Sequence, residues 1–338
     1  MIKYLGSKKR LLEPLIDSVC KLPGAHTALD LFSGTSRVGV ALKSRGIRVV
    51  ANDHNAYAAT LARCYVQADY EESLVRAAIQ LTNEFNRLPG APGYFTETFC
   101  EKSRYFQSKN GARIDAIREE IARKCLPPEL EAVMLTSLLE AADRVDSTVG
   151  VQMAYLKTWA DRAYKDLQLS TPKLIPRSPH GKGEAYQIDA LEAARLFSAD
   201  VVYLDPPYNS HKYLGNYHVW ESLVLWDKPE VYGVACKRVD CKTRVSDYNR
   251  ISAASTLAQL IGTLKCRYIV LSYSDDGIAT RAELEKALLQ RGPTSLTTID
   301  CARYVGHKIG IHDQHGRKVG TPTNSRTHEY IFVTEVRT

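Results

Sequence analysis

The segment "YLDPPYNSHKYLGNYHVW", residues 203–220, sets an acid, two prolines and an aromatic in succession after an apolar run. Neither Pro206 nor Pro207 can donate to a sheet ladder, so a strand must stop there. Pro207 keeps Pro206 extended, and Asp205 and Tyr208 are held on a stiff turn. Such an edge offers a planar substrate a carboxylate, a carbonyl acceptor without a competing donor, and an aromatic face. Upstream, "DLFSGTSRVG" puts Gly34 where the chain must turn tightly after a strand and Gly39 where the next helix must approach the sheet. Ser36 stands at the middle glycine position of the dinucleotide fingerprint, which argues against a pyrophosphate ligand and leaves another adenosine-containing ligand open. Asp30, Asp53 and Asp189 each close an apolar run. Alone, each reads as a cap of the following helix. Together, beside a glycine turn, they outline a nucleoside pocket in which Asp53 accepts from ribose hydroxyls.

The elements that carry these residues follow from periodicity. "LLEPLIDSVCKL" has helical spacing, "TALDLF" reads as a buried strand, "SRVGVALKSRG" as a helix ended by Gly46, and "IRVVAND" as a second strand. This is a βαβ unit, which implies a parallel sheet with a right-handed crossover. From Glu71 to Leu169 the pattern is helical, in "EESLVRAAIQLTNEFNRL", "ARIDAIREEIARK" and "PELEAVMLTSLLEAADRV", and a proline-rich polar stretch around Pro172 to Pro179 closes it. Alternation then resumes with the strands "EAYQID", "ADVVYLD" and "RYIVLSYS", and with helices around Leu191 and Trp220. "TRAELEKALLQRG" opens on a capping box, Thr280 with Glu283. Two last strands, "TSLTTIDCARYV" and "HEYIFVTEV", flank a long basic loop. The expected fold class is α/β: a doubly wound, mostly parallel sheet with an inserted helical domain. Residues 1–70 and 176–338 form the catalytic domain, and 71–175 the helical insertion.

At 338 residues, with 44% hydrophobic and 25% charged residues, the chain has ordinary globular composition. No apolar run reaches the length of a membrane span, and the start lacks the apolar core of a signal peptide, so a cytoplasmic protein without a membrane partner is expected. The eight cysteines are scattered, which favours reduced core thiols such as Cys20, Cys64 and Cys266. Cys236 and Cys241 have no second pair, and no metal is expected. A net charge of +7 permits a polyanionic partner without demanding one. His211, His218 and Trp220 read as packing groups rather than acid–base groups.

With Asp205 at a further strand end, the sequence resembles the Dam-type, alpha-order DNA adenine-N6 methyltransferases over nearly its whole length. "IKYLGSKKRLL" is similar to motif X, "LDLFSGTSRVG" to motif I, "ANDHN" to motif II, "YQIDALE" to motif III, and "DPPY" to the catalytic motif IV. The resemblance implies a Rossmann-like methyltransferase fold and S-adenosylmethionine as cofactor. Motif X would contribute Tyr4, Gly6 and Lys8 to the cofactor site. Motif I would contribute Asp30, Phe32, Ser33, Gly34, Thr35 and Ser36. Asp53 would hold the ribose, Asp189 the adenine amine, and Asp205 would border both cofactor and target. Asp205, Pro206, Pro207 and Tyr208 would form the catalytic turn, acting on a flipped adenine of double-stranded DNA. The insertion is the candidate for DNA recognition. The resemblance further implies a monomer of the prokaryotic cytoplasm, associated with the nucleoid. A restriction endonuclease acting on the same site, without forming a complex, is the implied counterpart. Two basic loops are the candidates for phosphate contacts: Lys237, Arg238, Lys242 and Arg244 in the first, and Lys308, Arg317 and Lys318 in the second. The alternatives are an RNA base methyltransferase sharing the tetrapeptide and a catalytically silent nucleic-acid-binding relative.

Overall fold

The structure is a computed structural model describing residues 1–4, 11–208, 212–302, 311–312, 318–320 and 326–337, with the backbone alone described for 302, 311, 312 and 318–320. The first half runs α1 (Leu12–Cys20), β1 (Thr27–Asp30), α2 (Arg37–Ser44), β2 (Arg48–Asn52) and α3 (Ala56–Ala62). The helical segment follows as α4 (Glu72–Asn86), α5 (Tyr94–Thr96), α6 (Ser108–Lys124) and α7 (Pro128–Val145). The second half begins with β3 (Glu184–Tyr186), α8 (Ala190–Leu196), β4 (Ala199–Leu204), α9 (Tyr213–Asn216) and α10 (His218–Leu225). A short hairpin, β5 (Val231–Tyr232) and β6 (Lys237–Arg238), leads to α11 (Ala253–Thr263), β7 (Cys266–Ser274), α12 (Arg281–Leu289) and β8 (Thr294–Ala302). β9 (Ile311–His312), β10 (Lys318–Gly320) and β11 (Arg326–Glu335) complete the chain.

Seven strands form one sheet in the order β3-β2-β1-β4-β7-β11-β8. The first five are mutually parallel, and β11 runs antiparallel between β7 and β8. Alternation of buried residues explains why this sheet needs helices on both faces. Ala28, Val49, Val201 and Val270 point to one side, against Leu15 and Val19 of α1 and Leu42 of α2. Leu29, Val50, Val202 and Leu271 point to the other, against Ala193 of α8, Leu257 and Leu260 of α11 and Leu284 of α12. The capping box of α12 is present, with the Thr280 side chain accepting from Glu283 N and the Glu283 carboxylate accepting from Thr280 N at 2.8 Å.

Tyr70 N donates to Ile175 O at 2.9 Å, so the chain leaves the sheet and returns to it at one point. There Lys43, nearly buried on α2, pairs with Asp69 at 2.9 Å, and Arg177 reaches the same carboxylate at 2.7 Å. The helices between these ends do not enclose a core of their own. Phe85, Phe95, Phe106, Ile117 and Leu138 share one apolar cluster with Tyr57 of α3 and Tyr217, Trp220 and Leu223 at α10. His218 and Trp220 are buried there, His218 Nε2 lying 2.9 Å from Gln152 O. Cys64 is buried, whereas Cys20 is exposed on the outer face of α1 and is not the core thiol that its apolar neighbours suggested.

Candidate active site

The carboxyl ends of β1, β2 and β4 meet around one cavity of about 470 Å³, within the range of small-molecule sites. Asp30 is the last residue of β1, Asp53 follows the last residue of β2, and Asp205 follows the last residue of β4. All three line the cavity. Tyr4, Phe32, Ser33, Gly34, Thr35 and Pro207 line it as well.

Asp53 organises the glycine turn. Gly34, at φ +50, donates its N–H to Asp53 Oδ2 at 2.9 Å, and Asn55 N donates to Oδ1 at 2.9 Å. A side chain on Gly39 would lie 2.9 Å from Val66, which is the close helix approach that glycine permits. Ser36 adopts the left-handed conformation, φ 61 and ψ 21, that a glycine would take without steric cost. It lies behind the cavity wall, fully buried. Tyr4 closes the turn from above, stacked on Tyr217 with ring centroids 4.7 Å apart and on Tyr213 at 5.6 Å.

The site concentrates negative charge. Asp30 is 1% exposed, and its carboxyl is pushed up from 3.8 to about 8, by burial first and then by Asp205 and Asp53. Burial also raises Asp53, opposed by the N–H groups of Asn55 and Gly34. Asp30 Oδ1, Ser33 Oγ, Ser36 Oγ and Arg37 Nε are buried without a hydrogen-bond partner. Orphaned polar atoms are costly in a finished interior, and those of Asp30, Ser33 and Arg37 belong to residues that line the cavity, where a ligand could satisfy them. The arrangement suits a ligand that brings positive charge and hydrogen-bonding groups to the ends of β1 and β4.

Asp189 departs from the strand-end expectation. β3 stops at Tyr186, and Asp189 is the N-cap of α8, its Oδ1 accepting from Leu191 N at 2.8 Å and from Glu192 N at 3.3 Å. It also lines the cavity, so capping and ligand contact are compatible at this residue. Of the turn Asp205–Tyr208, Asp205 and Pro207 line the cavity and Pro206 does not. Tyr208 does not line it, and its ring meets Tyr273 edge-on at 5.8 Å. Gly6 and Lys8 lie outside the described residues.

The first basic loop is not the solvated cation run that its composition suggested. Arg238 is 3% exposed and grips Asp227 with two bonds of 2.7 Å, with Asp240 at 3.1 Å on its Nε. Arg244 is held by Glu221 at 2.9 Å and Asp240 at 3.1 Å, and it lines the cavity. Glu221, fully buried, also accepts from Ala56 N and Tyr57 N at the start of α3. Both arginines are therefore tied into the protein, which corrects their reading as loop cations open to phosphate. Lys242 is exposed over the ring of Tyr232 at 4.4 Å, and Lys237 is half-buried in β6. Lys308 and Arg317 lie outside the described residues, as does the side chain of Lys318, the first residue of β10.

Sequence reasoning missed Arg37, Tyr213 and Tyr248 and read the strap Thr243–Asn249 only as part of a basic loop, whereas all of these border the cavity. Tyr248 anchors the strap, 5% exposed and edge-on to Phe32 at 5.1 Å. A lone aromatic in a polar loop, "VSDYNR", was the available signal.

A profile of the D12 class N6 adenine-specific DNA methyltransferases matches residues 4–287. The type II methyltransferase M.NlaIII of Neisseria lactamica is 29% identical over 352 aligned positions, covering 99% of each chain. The type II methyltransferase M.FokI of Planomicrobium okeanokoites is 29% identical over 98% of this chain, which spans 52% of that protein. The modification methylase StsI of Streptococcus sanguinis is 30% identical over 85% of this chain and 46% of its own length.

Proposed function

The chain belongs to the D12 class of N6 adenine-specific DNA methyltransferases, and from that premise we propose that it methylates an adenine extruded from duplex DNA, with S-adenosylmethionine as donor and Asp205 and Pro206 as the groups that hold the target amine. The observation that carries the reading is that Asp205 shares one cavity with Asp30 and Asp53, the acids at the ends of β1 and β2, and that Asp30 Oδ1 is buried there without a hydrogen-bond partner. The cofactor supplies a sulfonium methyl and carries an ammonium, and its positive charge matches the acids Asp30 and Asp53. Asp30 would face the charged end, Asp53 the ribose, and Asp189 the adenine.

An adenine amine is a poor nucleophile because its lone pair is delocalised into the ring. The Asp205 carboxylate and the Pro206 carbonyl accept its two hydrogens and favour the tetrahedral geometry that localises the lone pair. Proline at 206 leaves an acceptor with no competing donor. Most of the rate enhancement then comes from orientation and from acceptors fixed in advance. Tyr208 would stack on the extruded base, since chemistry on a base requires it to leave the duplex. Lys237 and Lys242 would contact phosphates, and the helical segment 71–175 would contribute to base readout. The protein would act as a monomer in the prokaryotic cytoplasm. A restriction endonuclease acting on the same site, without binding this chain, is the natural counterpart given the modification methylases it resembles.

The test is sequencing of DNA, with modification-sensitive reads, from a host expressing either the wild type or Asp205→Ala. N6-methyladenine at one short motif in the first and none in the second is the expected result. In vitro, Asp205→Ala should keep cofactor affinity by calorimetry. Turnover retained within about tenfold, under ~1.4 kcal/mol of barrier, would overturn the assignment of Asp205.

A further inference from the structure

We propose that the turn Asp275–Ala279, through Gly277 and Tyr273, positions the ring of Tyr208 for the target base; the inference rests on the base-stacking role given to Tyr208 above. The turn leaves the end of β7 and passes directly over the ring of Tyr273. A Cβ on Gly277 would lie 2.1 Å from Tyr273 Cε1 and 2.9 Å from its hydroxyl, so only glycine allows this approach. The ring has nowhere to go. Tyr273 is fully buried, and its hydroxyl accepts from Ala279 N at 3.1 Å.

The same turn holds Tyr208 twice. Ile278 N donates to Tyr208 O at 2.7 Å, and the Tyr208 ring rests on Tyr273 with planes 64° apart. On its outer side the turn is pinned to β11. Asp275 N donates to His328 O at 2.9 Å, and the Asp275 carboxylate accepts from the Thr327 hydroxyl and lies 2.9 Å from His328 Nδ1. A hydrogen-bonded path thus runs from the antiparallel strand to the catalytic turn. Gly277 and Tyr273 are positioning residues on that path.

The experiment is a double-mutant cycle under single turnover, at saturating S-adenosylmethionine, on a duplex carrying the motif mapped by sequencing. A methyl on Gly277 must push the Tyr273 ring aside by about 1 Å or more, and a misplacement of that size costs on the order of 100-fold in rate. Gly277→Ala should show that loss while the cofactor dissociation constant stays within about twofold. In a Tyr208→Ala background the same substitution should cost less than about threefold, because the ring it displaces is gone. Tyr273→Phe keeps the ring and removes the hydroxyl that accepts from Ala279. It should show the same non-additivity at smaller amplitude, and it stands in if Gly277→Ala does not fold. Equal losses in both backgrounds overturn the proposal and leave Gly277 a packing residue. If Tyr208→Ala alone leaves the rate unchanged, the base-stacking reading fails, and this inference fails with it.

Discussion

Replacing Asp30 with Asn takes an ionisable group out of the buried wall of the cavity. The wild-type carboxyl is pushed from 3.8 to about 8 in the folded protein. A raised acid destabilises the fold wherever the unfolded chain has ionised it and the native state has not. The penalty is absent below about pH 4, grows as pH rises from about 4 to about 8, and is constant above that. At about 1.4 kcal/mol per pKa unit, it is worth roughly 2 kcal/mol at pH 5.5 and roughly 5 kcal/mol at pH 8.5. Asparagine fits the same space and cannot ionise. The variant should therefore gain stability over the wild type, measured by urea unfolding, by about 3 kcal/mol more at pH 8.5 than at pH 5.5. A difference that does not change with pH would refute the burial of charge at this position. The wild type near pH 7 should also release a proton when a cationic cofactor binds. Its calorimetric binding enthalpy should then depend on the ionisation heat of the buffer, and the dependence should be weaker in Asp30→Asn.

Asp53→Ala removes the acceptor of Gly34 N and Asn55 N, and the cofactor dissociation constant should rise roughly ten- to a hundredfold, as for lost charged hydrogen bonds worth about 1.5–3 kcal/mol. Unchanged affinity would place the ribose elsewhere. Asp189→Ala should lose about 1 kcal/mol of stability with the cap of α8, whereas Asp189→Asn should keep the cap and lose cofactor affinity alone. Lys242→Glu should lower the slope of log affinity for duplex DNA against log salt by about one. Arg238→Ala should leave that slope unchanged and instead cost roughly 2 kcal/mol or more in urea unfolding, because Asp227 loses its partner and Asp240 keeps only Arg244. Ser36→Gly should raise the unfolding free energy by about 1 kcal/mol, the cost of left-handed backbone in an L-residue, and a loss of stability would show that the buried hydroxyl matters more than the strain.

The sheet was legible because its central strands β1, β2, β4 and β7 are buried on both faces and its helices carry local signals, such as Thr280 with Glu283 and the stop at Gly46. The acids were legible because strand ends are fixed by apolar runs, and Asp30, Asp53 and Asp205 do converge on one cavity. Asp189 misled by two or three residues: the apolar Ile188 extends the run past the end of the ladder, and the cap of α8 claims the acid. The basic loop misled for a different reason. Composition counts the cations Arg238 and Arg244 as free, but Asp240 between them in the same loop pairs with both, and the fold brings Asp227 to Arg238 and Glu221 to Arg244. Tyr213 and Tyr248 reach the cavity by the same long-range route.

The helices between Glu72 and Val145 share their interior with α3 and α10, and α10 begins thirteen residues after Asp205. The base readout proposed for these helices is constrained by that shared interior. A segment imported whole from a relative would set a foreign surface against Trp220 and Tyr57, and the misfit would be felt at the end of the sheet where the catalytic turn sits. Engineering by exchange of parts would meet the same barrier, and a working chimera must carry α3 and α10 along with the helices they support.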